Sequence, residues 1–232
     1  MSRKYYEAYD DRYRQVHNRK LQWFHSEPSP VVKEVLSFLD IKKDQALLEL
    51  GCGEGRDAVP LLKEGYQLLA TDISEEAIRY CREKLPEYAD QFRVLDCVNG
   101  SLNVCFDFIY AIAVIHMLVD DADRAAFYRF FHNHLKDDGF GLICSMGDGH
   151  IARSSDIATA FQLQERIHEQ SGEKVLIAGT SCRMVSFDTF HREINENGLR
   201  VLKSGVISVE PDFPQMMFAV VQKKEAEVEN DE

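Results

Sequence analysis

From residue 46 onward, short apolar runs alternate with amphipathic stretches. Ala46–Leu50, Gln67–Thr71, Phe92–Asp96, Phe106–Ile112 and Gly139–Ser145 read as strands. Between them, Arg56–Glu64, Glu75–Leu85 and Asp123–Leu135 space their apolar residues three and four apart, as helices do. Strand–helix alternation of this kind predicts a mostly parallel sheet covered on both faces. The end of the chain departs from it. Leu199–Val209 and Met216–Gln222 read as strands joined by EPDFPQ, a link too short for a parallel crossover, so an antiparallel hairpin is expected. The predicted fold is α/β, with seven strands: five parallel and a C-terminal antiparallel pair.

Two stretches stand outside the alternation. In the first, Tyr6, Tyr9, Tyr13, Val16 and Lys20 fall on one helical face. Trp23, Phe24 and the boundary S-E-P-S-P follow. Pro30 then opens a helix to Leu39 that turns Val31, Val35, Leu36 and Leu39 inward. The second stretch, 147–185, precedes a helix over Phe187–Asn197 and carries helical spacing at Ile157, Phe161, Leu163 and Ile167. It leaves the carboxyl end of a strand, where open α/β sheets bind ligands. The chain therefore divides into an N-terminal aromatic helical lid (1–29), a domain over 30–224 with a substrate-covering insertion at about 147–185, and a disordered acidic tail (225–232). Permanent docking of the tyrosine face on the core is equally compatible with residues 1–29.

Composition narrows the picture. With 232 residues and 45% apolar content, the chain can fill one large α/β core. No apolar run approaches the roughly 18 residues of a membrane span, and the N-terminus is too polar for a secretory signal. Six cysteines occur without a C-x-x-C pair, which points to reduced thiols, a cytoplasmic protein and no metal site. The net charge of −12, partly from the tail, argues against broad attachment to nucleic acid.

The chemistry concentrates in LLELGCGEGRD, residues 47–57. Strand, glycine turn and helix place backbone N–H groups against an anionic or polar ligand group. A dinucleotide fingerprint would need its third glycine at position 56, which is Arg56. The second apolar run ends at Asp72, a carboxylate placed to accept from two ribose hydroxyls or, more plainly, to cap the next helix. Glu49-x-Gly51-x-Gly53-x-Gly55 resembles motif I of the class I S-adenosylmethionine (SAM)-dependent methyltransferases. The stretch from Leu48 to Ser74 is similar to the tellurite-resistance and thiopurine methyltransferases.

That resemblance implies a Rossmann-like sheet, SAM as cofactor and S-adenosylhomocysteine (SAH) as product. It implies a loop of Gly51, Cys52, Gly53 and Gly55 beside the methionine part of SAM, with Glu49 behind it. Asp72 would hold the ribose and Ile73 would pack on the adenine. Asp96, with Cys97 beside it, would accept from the adenine amino group or else cap a turn. Ala111 would form the floor. Candidates for orienting or deprotonating an acceptor are His116, His150 and Tyr13; His116 is equally compatible with a backbone-bonded structural histidine. His132 and His134 read as surface residues. The segment after the fourth strand is Tyr110-Ala111-Ile112-Ala113, without the proline pair of amino-methylating DNA enzymes, and there is no Pro-Cys dipeptide. A small-molecule acceptor and a monomer or homodimer are expected. A non-catalytic SAM/SAH-binding module and, against Arg56, a nicotinamide-dependent oxidoreductase are the alternatives.

Overall fold

The computed structural model describes residues 3–23, 27–168, 170–209 and 213–225. The calls on Phe24, on the serine that opens S-E-P-S-P, on the first half of the EPDFPQ link and on the acidic tail beyond Glu225 lie outside these residues. In chain order the main elements are α1 (Ala8–His17), α2 (Pro30–Phe38), β1 (Ala46–Leu50), α3 (Ala58–Lys63), β2 (Gln67–Asp72), α4 (Glu75–Lys84) and β3 (Phe92–Val94). They continue with β4 (Phe106–Ile112), α5 (Asp121–His134), β5 (Leu135–Met146), β6 (Arg153–Ser154), β7 (Leu163–Ile167), β8 (Lys174–Ala178), β9 (Arg183–Met184), α6 (Phe187–Glu196), β10 (Leu199–Val209) and β11 (Phe213–Lys223). Seven strands form one sheet in the order β3-β2-β1-β4-β5-β11-β10. The first five are parallel, and β11 runs antiparallel to both β5 and β10.

Strand periodicity splits the core into two layers. Leu47 faces α2 and α3 with Leu36, Leu61, Phe108 and Leu142, while Leu48 and Leu50 face Phe127, Phe131 and Ile143 on the other side. Each such aliphatic or aromatic side chain, fully buried, contributes about 1.5–3 kcal/mol. On the second face, the buried guanidinium of Arg124 pins α5 to α6. It donates to both carboxylate oxygens of Glu193, at 2.9 and 2.6 Å, and to the carbonyls of Ile115 and Leu118.

Three readings of the sequence change. The apolar spacing in the insertion is not helical: residues 163–178 form an antiparallel hairpin, β7 with β8, turning through Gly172 at φ +72°. Val175 and Ile177 are buried at period two, against Val16 of α1, while Leu163 and Ile167 stay exposed. The third sheet strand stops at Val94, so Asp96 stands in the loop beyond it. His134 is buried rather than on the surface. It stacks on Phe130, its Nδ1 meets the Phe130 carbonyl at 2.8 Å, and its Nε2 lies 2.9 Å from the Leu102 nitrogen.

Candidate active site

At the carboxyl end of β1 the chain must turn within a few residues to enter α3. Gly51, Gly53 and Gly55 all take positive φ, at +75°, +52° and +84°. At Gly51 the requirement is also one of space, because a Cβ there would stand 2.3 Å from Val114 Cγ2. The loop is locked to β2. Gly51 and Cys52 donate to the Thr71 carbonyl at 2.7 and 2.9 Å, and Gly53 N–H donates to Asp72 Oδ2 at 2.8 Å. The other Asp72 oxygen accepts from Ser74 N–H at 2.8 Å. Burial nevertheless pushes the Asp72 carboxyl up to about 6, against the pull of those N–H groups.

A cleft opens over this loop. It is lined by Tyr13, Glu49, Gly51, Cys52, Gly53, Asp72, Ile73, Asp96 and Cys97, nine residues that the sequence marked. Glu49 is buried and accepts from the Tyr110 hydroxyl at 3.0 Å; burial raises its carboxyl well above the usual range. Burial also raises the Cys52 thiol, and pushes that of Cys97 to about 12, so both are inert thiols. Asp96 caps its own loop, accepting from Val98 N–H at 2.8 Å and from the Asn99 side chain at 2.8 Å, while also meeting the Tyr6 hydroxyl at 3.4 Å.

Other marked residues lie elsewhere. Ala111 does not line the cleft. Strand alternation turns it into the α5 layer, and Ile112, Ala113 and Val114 take its place. Gly55 lies on the far side of the loop, where a Cβ would press on Val59 at 3.0 Å, in a separate groove with Tyr80. His150 is exposed on the loop after β5, held by Asp148, and lines neither the cleft nor its neighbouring chamber. His116 faces that chamber rather than the cleft. It is buried, lies 3.5 Å from the Met146 N–H through Nδ1, and is pushed down to about 3 by burial and then by the charge of Arg124. It is a neutral imidazole at physiological pH.

The cleft is roofed by the N-terminal segment, through contacts that span large sequence separations. Tyr6, Tyr9 and Tyr13, which their spacing put on one helical face, line it. Asp10 accepts from Ser74 Oγ at 2.8 Å and Glu76 N–H at 3.0 Å, an anion at the N-terminus of α4. His17 bridges two carboxylates, Glu54 of the glycine loop at 2.8 Å and Glu76 of α4 at 2.7 Å. Glu54 also accepts the Trp23 backbone N–H at 2.9 Å. At the start of α2, Ser29 donates through N–H and Oγ to the buried Asp57, at 2.5 and 3.0 Å. Sequence reasoning left out Asp10, Arg12, His17, Ser29 and Glu54. The available signal was a polar face, Asp10, Arg14 and His17, flanking the tyrosines at helical spacing.

The glycine turn after β1 and the Asp72 carboxylate on the tip of β2 stand where the sequence resemblance to class I SAM-dependent methyltransferases implied them. The comparisons agree: residues 48–140 match the family model described as a methyltransferase domain. Among curated proteins, Hemagglutinin 1 of Eikenella corrodens is 32% identical over 106 residues. That match covers 44% of this chain, and the chain spans only 34% of that relative. Among solved structures, a SAM-dependent methyltransferase from Clostridium acetobutylicum aligns with a TM-score of 0.66 and 15% identity, over 92% of this chain and 96% of that one. The CcbJ methyltransferase of Streptomyces caelestis gives 0.69 and 15%, over 94% and 98%. The 1,6-didemethyltoxoflavin-N1-methyltransferase of Burkholderia thailandensis gives 0.69 and 14%, over 97% and 92%. At such identities the structural likeness speaks for the fold.

The residues present suit SAM. Gly51 offers a cradle with no room for a side chain, and Asp72 offers a buried carboxylate on the tip of β2, able to accept from hydroxyls. Ile73, Leu95, Val98 and Leu118 give apolar walls, and three tyrosine rings stand where a sulfonium would favour aromatic faces.

Proposed function

We propose that this protein transfers the methyl group of SAM to a small-molecule acceptor held in the chamber beside the cleft. The observation that carries the reading is the adjacency of the two spaces, which share Tyr9 and Met117 as lining residues. Bound SAM supplies a methyl group on a cationic sulfur, ready for in-line displacement. What the chain supplies is position and exclusion of water. Gly51 and Gly53 admit the methionine end, Asp72 accepts from the ribose, and Asp96 with Ile73 frames the adenine.

Neutral His116 orients the acceptor by hydrogen bonding; the burial that lowers it to about 3 also opposes proton uptake, so it is a positioning group rather than a base. Tyr13 sits deep in the cleft, its phenol raised well above its ordinary range by burial and by the nearby Asp72. It serves as a hydrogen-bonding wall rather than a base. Residues 3–23 act as a lid, a reading supported by the tyrosines that line the cleft and by the contacts of Asp10 and His17 across it. The net charge of −12 supports a small molecule over nucleic acid. Among the described residues no helix is long and apolar enough to cross a membrane.

Calorimetric titration with SAM and with NADH tests the reading. SAM is expected to bind and NADH not. Asp72→Ala, folded, should lose two charge-assisted hydrogen bonds and bind SAM weaker by a factor on the order of 100 or more. Unchanged SAM affinity in that variant overturns the cofactor assignment. SAH release on screening acceptors separates an enzyme from a binding module.

A further inference from the structure

The chamber beside the cleft is lined by Tyr9, Arg12, Trp23, His116, Met117, Met146, Arg166, Ile167, His168 and Phe213, with a volume of about 220 Å³. Its walls are aromatic and apolar, its charged groups are two guanidinium ions, and no carboxylate lines it. Neither histidine changes that balance. His116 is neutral, and His168 is engaged through Nε2 with the Gln22 carbonyl at 2.5 Å and through Nδ1 with Ser171.

Arg12 is the unusual member. It is 8% exposed, and its hydrogen-bond partners are all neutral: the carbonyls of Ala178 and Gly179 and the Thr180 hydroxyl, at 2.7 to 3.3 Å. Those bonds use Nε and Nη2. Among the described residues Nη1 donates to nothing. Its ring neighbours are Trp23 and Tyr9, with the guanidinium carbon 4.7 and 5.2 Å from their centroids. Burial, and then the like charge of Arg166, pull the Arg12 guanidinium down. Arg166 is exposed at the rim, and its side chain donates to Gln164 Oε1 at 3.3 Å.

A buried cation without a carboxylate partner is unfavourable for folding alone. One buried cation, Arg12, and one at the rim, Arg166, both facing the chamber, make a receptor for negative charge, and Arg in particular suits the planar, forked geometry of carboxylate or phosphoryl oxygens. We propose that the methyl acceptor is a small organic anion with an aromatic or otherwise apolar body, its acidic group held between Arg12 and Arg166 and its body packed against Trp23, Phe213 and Tyr9. This assignment rests on the methyltransferase reading for the word acceptor, but the anion site itself stands on the chamber alone. Trp23 is the single tryptophan of the chain, so its fluorescence reports occupancy of this chamber directly.

The test titrates the full chain, with and without saturating SAH, with benzoate and phenyl phosphate and with their neutral counterparts benzamide and phenol. Binding is followed by calorimetry and by Trp23 emission. An anion is expected to bind at least tenfold more tightly than its neutral twin. Arg166→Gln, at an exposed position, should remove that preference while leaving the neutral compound unaffected, and Arg166→Lys should restore part of it. Benzoate binding the more tightly assigns a carboxylate acceptor; phenyl phosphate binding the more tightly assigns a phosphorylated one. The proposal is overturned if neither anion binds, if the neutral twins bind equally, or if Arg166→Gln leaves anion binding unchanged. An anion preference in a protein that fails to bind SAH would instead sink the methyltransferase reading and leave the anion chamber in place.

Discussion

The floor and the roof of the cleft differ in how they are assembled. The floor comes from one stretch, residues 49–118, in which β1, β2 and β4 lie side by side with Glu49 opposite both Ala70 and Tyr110. The roof joins two segments about 160 residues apart in sequence, α1 and the β7–β8 hairpin, which contact each other along α1 and β8. Ladder hydrogen bonds and two apolar layers hold the floor. Arg12 ties the two roof segments to each other, Asp10 and His17 tie α1 to α4 and the glycine loop, and Tyr5, Tyr6 and Ala8 are buried in the second apolar layer with Leu48 and Ile115. A net hydrogen bond contributes about 0.5–1.5 kcal/mol, less than one fully buried core side chain. The difference teaches where a lid would open: the floor is one continuous sheet, whereas among the described residues no strand ladder joins the roof to it.

The largest expected effect follows from removing the roof. A chain beginning at Glu27 keeps every strand of the seven-stranded sheet, so it should fold and melt cooperatively, with a lower Tm. It should bind SAM more weakly and lose nearly all turnover, because the tyrosines and Arg12 are gone and water reaches the methyl group. Hydrogen exchange on the full chain sharpens the test. SAM should protect Ala8–His17 far more than the central strands. An insoluble truncated chain, or slow exchange over α1 without ligand, would make the segment part of the core and erase the contrast.

Within the floor, two glycines separate conformation from space. Gly51 and Gly65 both take positive φ, +75° and +89°, but a Cβ at Gly51 would collide with Val114, whereas one at Gly65 meets nothing within 4 Å. Gly65→Ala should cost about 1–2 kcal/mol of stability, the left-handed penalty alone, with SAM affinity unchanged. Gly51→Ala should carry that penalty and also push Val114 into the cleft, weakening SAM at least tenfold beyond the Gly65 variant. Equal affinities in the two variants would show that the close approach at Gly51 does not shape the cofactor space.

The same division decides what could be read from the chain. The floor was legible because its signals are local: glycine spacing at 51, 53 and 55, apolar runs of strand length, and Asp72 at a strand tip. Ala111 was misplaced by one residue, which in a strand is the opposite face. The roof was half legible. Helical spacing gave α1 and its tyrosines, but what those tyrosines would meet depends on partners such as Ser181, which accepts from Tyr9 at 3.1 Å across 172 residues. The hairpin was masked because Leu163 and Ile167 fit a helical stripe by chance and remain exposed. Its actual signal was Ser171-Gly172 followed by Val175 and Ile177 at period two. The guanidinium pair in the chamber had no local signature, since Arg12 and Arg166 are brought together only when α1 docks on β8.

The smallest effect is a difference in pH response between the two parts. Asp72 belongs to the floor and has a carboxyl raised to about 6, so the folded, ligand-free protein holds a proton that the unfolded chain has released. The stability from that proton is complete below the ordinary carboxyl range and is lost as pH rises through 6. SAM binding has the opposite sense, because ribose hydroxyls donate to the ionised form. Affinity should therefore be about tenfold weaker at pH 5 than at pH 7, since the ionised fraction falls tenfold per pH unit below the pKa. His17 belongs to the roof. Burial alone would lower its pKa, but the hydrogen bonds and charges of Glu54 and Glu76 outweigh burial and raise it. Its clamp is complete below the ordinary imidazole value and is lost as pH rises through the raised one. The roof should loosen on the alkaline side, with faster hydrogen exchange over Ala8–His17 and a few-fold loss of SAM affinity. Calorimetry from pH 5 to 9 should give a bell for the native chain. His17→Gln, which cannot gain the proton, should flatten the alkaline limb and leave the acid limb where Asp72 sets it. An alkaline limb that survives in His17→Gln would mean that some other group holds the roof, and that the two parts of the cleft do not titrate apart.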